Sequence, residues 1–124
     1  MADKVVDASA LAAATFLEKD AAAIGTRLAG HKLFAPVLLD FEMSNICRKK
    51  IKAHPADRSL IFAQFLALRG LPIELREVDH SGVIELAIRR NLTTYDASYL
   101  WLSRHLGAEL VTLDQSLQKA ARLP

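Results

Sequence analysis

Val5-Val6-Asp7-Ala8-Ser9-Ala10-Leu11 sets a β-branched pair, an acid and the start of an alanine-rich stretch side by side. Val5-Val6 suits a short strand. Ser9 to Glu18, with Leu11, Thr15 and Glu18 at helical spacing, suits a helix. The same alternation recurs along the chain. Lys32-Leu33-Phe34-Ala35 reads as a strand and is followed by a helix over Val37 to Ala53, where Leu39, Met43, Ile46 and Cys47 recur at helical intervals. Ala56 to Leu68 repeats that pattern through Leu60, Ile61, Phe65 and Leu68 until Gly70 and Pro72 stop it. Ile73-Glu74-Leu75 and Glu109-Leu110-Val111-Thr112 supply the remaining strands, and Ser81 to Arg90, Thr94 to Leu106 and Gln115 to Leu123 the remaining helices. Strands separated by helices need crossover connections, which favours a short parallel sheet with helices on both faces, an α/β sandwich of three layers.

The chain has 124 residues, 52% of them hydrophobic and 24% charged, with few Gly and Pro. That composition excludes disordered and fibrous classes and predicts one compact domain over residues 1–124, without internal repeat or linker. Cys47 alone cannot close an internal disulfide, no apolar run reaches the length of a bilayer span, and acids interrupt the N-terminal stretch before a signal-peptide core. The expected compartment is the cytoplasm. Sixteen Lys and Arg against 14 Asp and Glu give +2, too little for bulk charge to drive nucleic-acid binding, so such binding needs a local cluster.

Ligands of an open parallel sheet bind beyond the carboxyl ends of its strands. Asp7 follows the first strand and Asp114 the last, Glu42 lies in the first turns of the helix after the second strand, and Asp96 opens the helix that leads into the last. All four carboxylates are expected at one crevice. Converging carboxylates repel unless a cation sits among them, and oxygen-only ligands select Mg²⁺ or Mn²⁺. His31, His54, His80 and His105 are scattered without paired ligand spacing, which gives zinc no support. A carboxylate-held Mg²⁺ with open water positions can activate water and neutralise charge on a phosphodiester.

Each acid also has a structural reading. Asp7 and Asp114 stand where Asp is a favoured N-cap, Thr93 and Asp96 have the spacing of a capping box, and Glu42 fits a solvent-facing helix position. Only strand order decides whether the four meet. On the helix of Glu42, the residues Glu42, Asn45, Lys49 and Lys52 fall within an arc of about 80°. The run Arg48-Lys49-Lys50-Ile51-Lys52 either binds phosphate or is a solvated helix end. With 6% aromatic residues, stacking partners for single-stranded bases are not obvious. The helix Thr94 to Leu106 is apolar on nearly all sides and is expected to be mostly buried, with Trp101 and Cys47 in the core.

Four segments carry a resemblance: Val5 to Leu11, Ala35 to Asn45, Leu92 to Tyr99 and Leu110 to Asp114. Their order and spacing resemble the four acidic motifs of PIN-domain ribonucleases, above all the VapC toxins of type II toxin–antitoxin modules. The resemblance implies that Asp7, Glu42, Asp96 and Asp114 form a Mg²⁺-binding catalytic quartet, with Ser9, Asn45 and Thr112 as accessory polar groups; with RNA as substrate, the stripe shared with Glu42 would set Lys49 and Lys52 on phosphates away from the scissile one. It implies endonucleolytic cleavage of structured RNA, a homodimer, and a small cognate antitoxin whose tail enters the acidic groove. Some members carry a further acid soon after the last Asp; Gln115 and Ser116 stand here instead, which leaves a second metal position without its ligand.

Two other acidic α/β designs fail on spacing. A phospho-accepting receiver wants paired acids after the first strand and a lysine after the last, and a phosphatase wants a second aspartate where Ser9 stands. A degenerate domain that only binds RNA or protein is the remaining alternative, and the presence of all four acids argues against it.

Overall fold

A computed structural model of the chain describes residues 2–68 and 70–124; Met1 and Arg69 lie outside the described residues. Among the described residues four parallel strands form one sheet in the order β3-β2-β1-β4. They are β1 (Asp3–Val6), β2 (Lys32–Pro36), β3 (Ile73–Arg76) and β4 (Glu109–Val111). Val5 pairs with Phe34 of β2 on one side and Leu110 of β4 on the other, so β1 is central and buried on both faces. From β1 the chain steps to β2 and β3 on one side and then crosses over to β4 on the other, so the order reverses beside β1 and Asp7 stands at the switch point, where such sheets open a crevice.

The helices are α1 (Ala8–Thr15), α2 (Ala21–Leu28), α3 (Leu39–Ala53), α4 (Arg58–Leu68), α5 (His80–Arg90), α6 (Thr94–Leu106) and α7 (Gln115–Arg122). Helices α1 to α4 pack on one another as one layer. On the other side α6 packs against β1, β2 and β4 and carries α5 and α7. Between the layers Leu11, Leu39, Met43, Leu100, Leu102 and Leu117 meet Val5, Val6 and Val111. No described helix is long and apolar enough to cross a membrane.

The three-layer α/β sandwich is as expected, with differences at the edges of elements. The helix expected over Ser9 to Glu18 stops at Thr15, because Leu17 turns to positive φ and the Glu18 amide bonds the Ala13 carbonyl. Helix α2 was not expected. It has only Ile24 and Leu28 on its buried face and Gly25 in its middle, a weak periodic signal. The helix expected from Val37 begins at Leu39 after a turn, and the one expected from Ala56 begins at Arg58 after a 3₁₀ turn over Pro55–Asp57. Of the apolar residues of α4 only Ile61 is buried, while Leu60, Phe62 and Leu66 are exposed.

Helix α6 keeps its expected bounds, with Asn91 and Gly107 in the left-handed region at the ends of α5 and α6. Trp101 is only half-buried: it packs against the core on one side and stacks on His105 with ring centroids 4.7 Å apart. It also lies over Gly82 of α5, where an added Cβ would come within 2.7 Å of the indole Nε1 and 3.2 Å of an Asp79 carboxylate oxygen. Gly82→Ala is therefore expected to force α5 and α6 apart and destabilise the fold by about 1–3 kcal/mol, read as a lowered Tm with altered Trp101 fluorescence.

Candidate active site

Asp7 follows β1 directly and is only 5% exposed. Its Oδ1 accepts the Ser9 hydroxyl at 2.7 Å and the Ala10 amide at 3.0 Å, and its Oδ2 accepts the Thr112 hydroxyl at 2.5 Å. Each hydroxyl has a single hydrogen, and both hydrogens go to Asp7. The same two oxygens accept amides of the loop after β4: Leu113 donates to Ser9 Oγ and Asp114 to Thr112 Oγ1, both at 3.0 Å. Two small side chains thus tie the ends of the neighbouring strands β1 and β4 to one carboxylate. Burial still dominates its titration. The Asp7 pKa is raised by desolvation, with the donors Thr112, Ala10 and Ser9 pulling it down and the charge of Asp114 adding to the rise.

Glu42, in the first turn of α3, is half-buried and accepts the Tyr99 hydroxyl at 2.5 Å. Burial raises its pKa, the Tyr99 bond opposes the rise, and Asp96 and Asp7 add to it. Tyr99 is 1% exposed, and burial followed by its bond to Glu42 drives its own pKa upward, so it remains a protonated donor. Asp96, in the first turn of α6, has its pKa raised by burial and then by Asp114 and Asp7. Asp114 is exposed at the start of α7. The charge of Asp114 thus reaches Asp7 and Asp96, and those of Asp7 and Asp96 reach Glu42.

The structural readings of these acids hold at the same time. Asp7 caps α1, and Asp114 caps α7 by accepting the Leu117 amide at 2.9 Å. Thr93 caps α6 by accepting the Asp96 amide at 3.1 Å. The return bond of a capping box, from the Thr93 amide to the Asp96 carboxylate, is not made among the described residues. Asp is one methylene shorter than the Glu or Gln that such a box uses. Its carboxyl is left to the crevice.

Among the described residues no three Asp, Glu, His or Cys side chains are close enough together to form a finished ion cage. Mutually repelling carboxylates stand apart in this way. The described salt bridges use Glu18, Glu74 and Glu109, and none neutralises an acid of the crevice. An all-oxygen anionic set without a basic partner fits a hard divalent cation.

A family model of the PIN domain matches residues 4–123. The VapC ribonuclease Mb0985 of Mycobacterium bovis and the ribonuclease VapC9 of Mycobacterium tuberculosis are each 33% identical over 120 residues, covering 91% of this chain and 87% of theirs. The crystal structure of PAE2754 from Pyrobaculum aerophilum superposes with a TM-score of 0.79 at 26% identity, covering 98% of this chain and 86% of that one. The chain belongs to the PIN-domain family of VapC ribonucleases.

In this PIN domain the basic run of α3 is divided. Lys50 pairs with Glu18 at 2.6 Å and lies over the Phe16 ring, and Arg48 donates to the Asn45 amide oxygen at 3.1 Å. Lys49 and Lys52 are exposed. The sequence offers Tyr99 only as part of a mostly buried helix, and its bond to Glu42 was not expected; its place one turn after Asp96 was the available signal. It also found no obvious aromatic platform, whereas Phe41 and Tyr95 stand exposed on one cleft with Glu42.

The raised pKa of Asp96 gives a signed expectation. A carboxyl whose folded-state pKa exceeds its unfolded one contributes stability that is intact below about pH 4 and lost as pH rises through the folded value. In EDTA, Asp96→Asn should match the parent in Tm below that range and exceed it by a few degrees at neutral pH. Thermal scans across pH check this, and a difference that does not vary with pH would remove the repulsion.

Proposed function

We propose that this VapC-family ribonuclease hydrolyses structured RNA with Mg²⁺, or Mn²⁺ in its place, held by Asp7, Glu42, Asp96 and Asp114. The observation that supports the reading is the placement of the four acids after β1 and β4 and at the starts of α3 and α6, with the charges of Asp7, Asp96 and Asp114 acting on their neighbours and none of the described salt bridges using any of the four. Bound there, the ion supplies activated water and neutralises charge developing on the phosphate.

The chain's own groups do the positioning. Ser9 and Thr112 hold both oxygens of Asp7 against rotation, Tyr99 holds Glu42, and Asn45 is an accessory polar group one turn from Glu42. Lys49 and Lys52, about two and three turns beyond Glu42 on the same stripe, take RNA phosphates away from the scissile one. The reading includes action in the cytoplasm, a homodimer, and a cognate antitoxin whose tail enters the acidic crevice; family membership and the anionic character of the crevice support it.

Asp7→Asn keeps the size of the side chain and its capping of α1 while removing the charge. It should fold and lose at least about 100-fold in cleavage of an RNA pool with Mg²⁺, and EDTA should silence the parent. Cleavage at the parent rate by the folded variant would refute the assignment of Asp7.

Changing Lys49 and Lys52 together to Ala should weaken RNA binding across sequences and flatten its salt dependence, with single-turnover cleavage at saturating RNA nearly intact. Affinity titrations over a range of salt check this. An unchanged slope would return both lysines to plain surface.

A further inference from the structure

Next to the acidic crevice, Leu38, Phe41, Glu42, Asn45 and Tyr95 line an open cleft of about 370 Å³, a volume in the lower part of the ~300–1,000 Å³ range of small-ligand sites. Phe41 is 77% and Tyr95 63% exposed, in a chain with few aromatic residues. Their positions are specific. Phe41 directly precedes Glu42 and Tyr95 directly precedes Asp96, so each ring is chain neighbour to an acid of the crevice. Leu38 adds an aliphatic wall. Asn45 offers an amide whose oxygen is already engaged by Arg48, which leaves its NH₂ donors for a ligand.

We propose that this cleft receives one unpaired nucleobase of the RNA, from the nucleotide next to the scissile phosphate, stacked against Phe41 and Tyr95. The proposal rests on the ribonuclease reading above and deepens it. Charge decides which part of a nucleotide enters. Among the described residues the cleft lining holds no cation for a phosphate, while a base is neutral, presents a flat π face to the rings, and carries acceptors for the Asn45 amide at its edge. The phosphates of the same strand have Lys49 and Lys52 farther along α3, on the stripe that begins at Glu42. A base in a duplex has its faces covered by its neighbours and its pairing edge occupied. The cleft therefore selects a looped or unpaired position within a structured RNA.

The test reads binding without cleavage. The Asp7→Asn chain is titrated with a short single-stranded RNA and with an abasic ribose-phosphate chain of the same length. The RNA should bind about tenfold or more tightly than the abasic chain. Adding Phe41→Ala or Tyr95→Ala should bring that ratio toward one, and adding Tyr95→Phe should preserve it. Both rings are largely exposed, so truncation leaves the fold in place. A ratio near one before any ring is removed, or a ratio that survives both alanine changes, overturns the proposal. Sedimentation showing that the alanine changes split a dimer while the ratio stands would also overturn it and assign the cleft to a second copy of the chain. Base discrimination without Mg²⁺-dependent hydrolysis in the parent would refute the ribonuclease reading and leave the cleft standing.

Discussion

Asp7 brings a negative charge to the buried end of a central strand, and the surrounding chain is organised around keeping it there. An unpartnered buried carboxylate costs several kcal/mol, so the group must be hydrogen-bonded, protonated or matched by a cation. Ser9, Ala10 and Thr112 supply the first of these, and the raised pKa shows that they do not fully offset the burial. The proposed divalent ion would supply the positive charge that answers the remainder.

The same region resolves an apparent choice between structural and chemical roles. Asp7 and Asp114 satisfy free amides at the starts of α1 and α7, and Asp96 sits in the first turn of α6. Helix N-termini carry partial positive charge, so three of them meeting at the carboxyl edge of the sheet ease the crowding of four acids without neutralising it. Capping fixes where Asp7 and Asp114 stand, and the proposed divalent ion would relieve the repulsion that remains. Neither role competes with the other, because a carboxylate has lone pairs enough for both.

Much of this was legible in the sequence. Four strand-like runs separated by helical periodicities imply a parallel sheet, which the strand order bears out, and acids placed after strands or at helix starts are the basis of the site proposed above. The unread parts share a physical cause. Helix α2 has too few buried positions to show a period. The outward turn of Leu60 and Leu66 on α4 depends on packing that no single helix encodes. The Tyr99 to Glu42 bond joins residues 57 positions apart, and Phe41 and Tyr95 become neighbours only through the sheet. Local patterns specify elements, while such pairings are made by the topology.

Thr112 has a consequence for the order of events in the life of the chain. Its hydroxyl links Asp7, near one end of the sequence, to the amide of Asp114, near the other. A slip of β4 by one residue against β1 would put an apolar side chain at that junction and dissolve it. Residues leave the ribosome in sequence order, so an emerging chain holds Asp7, Glu42 and Asp96 well before it holds the strand that finishes the crevice. The hydrogen bonds that join Asp7 to the start of α7 therefore form only once β4 has docked in register, so the proposed site is completed last.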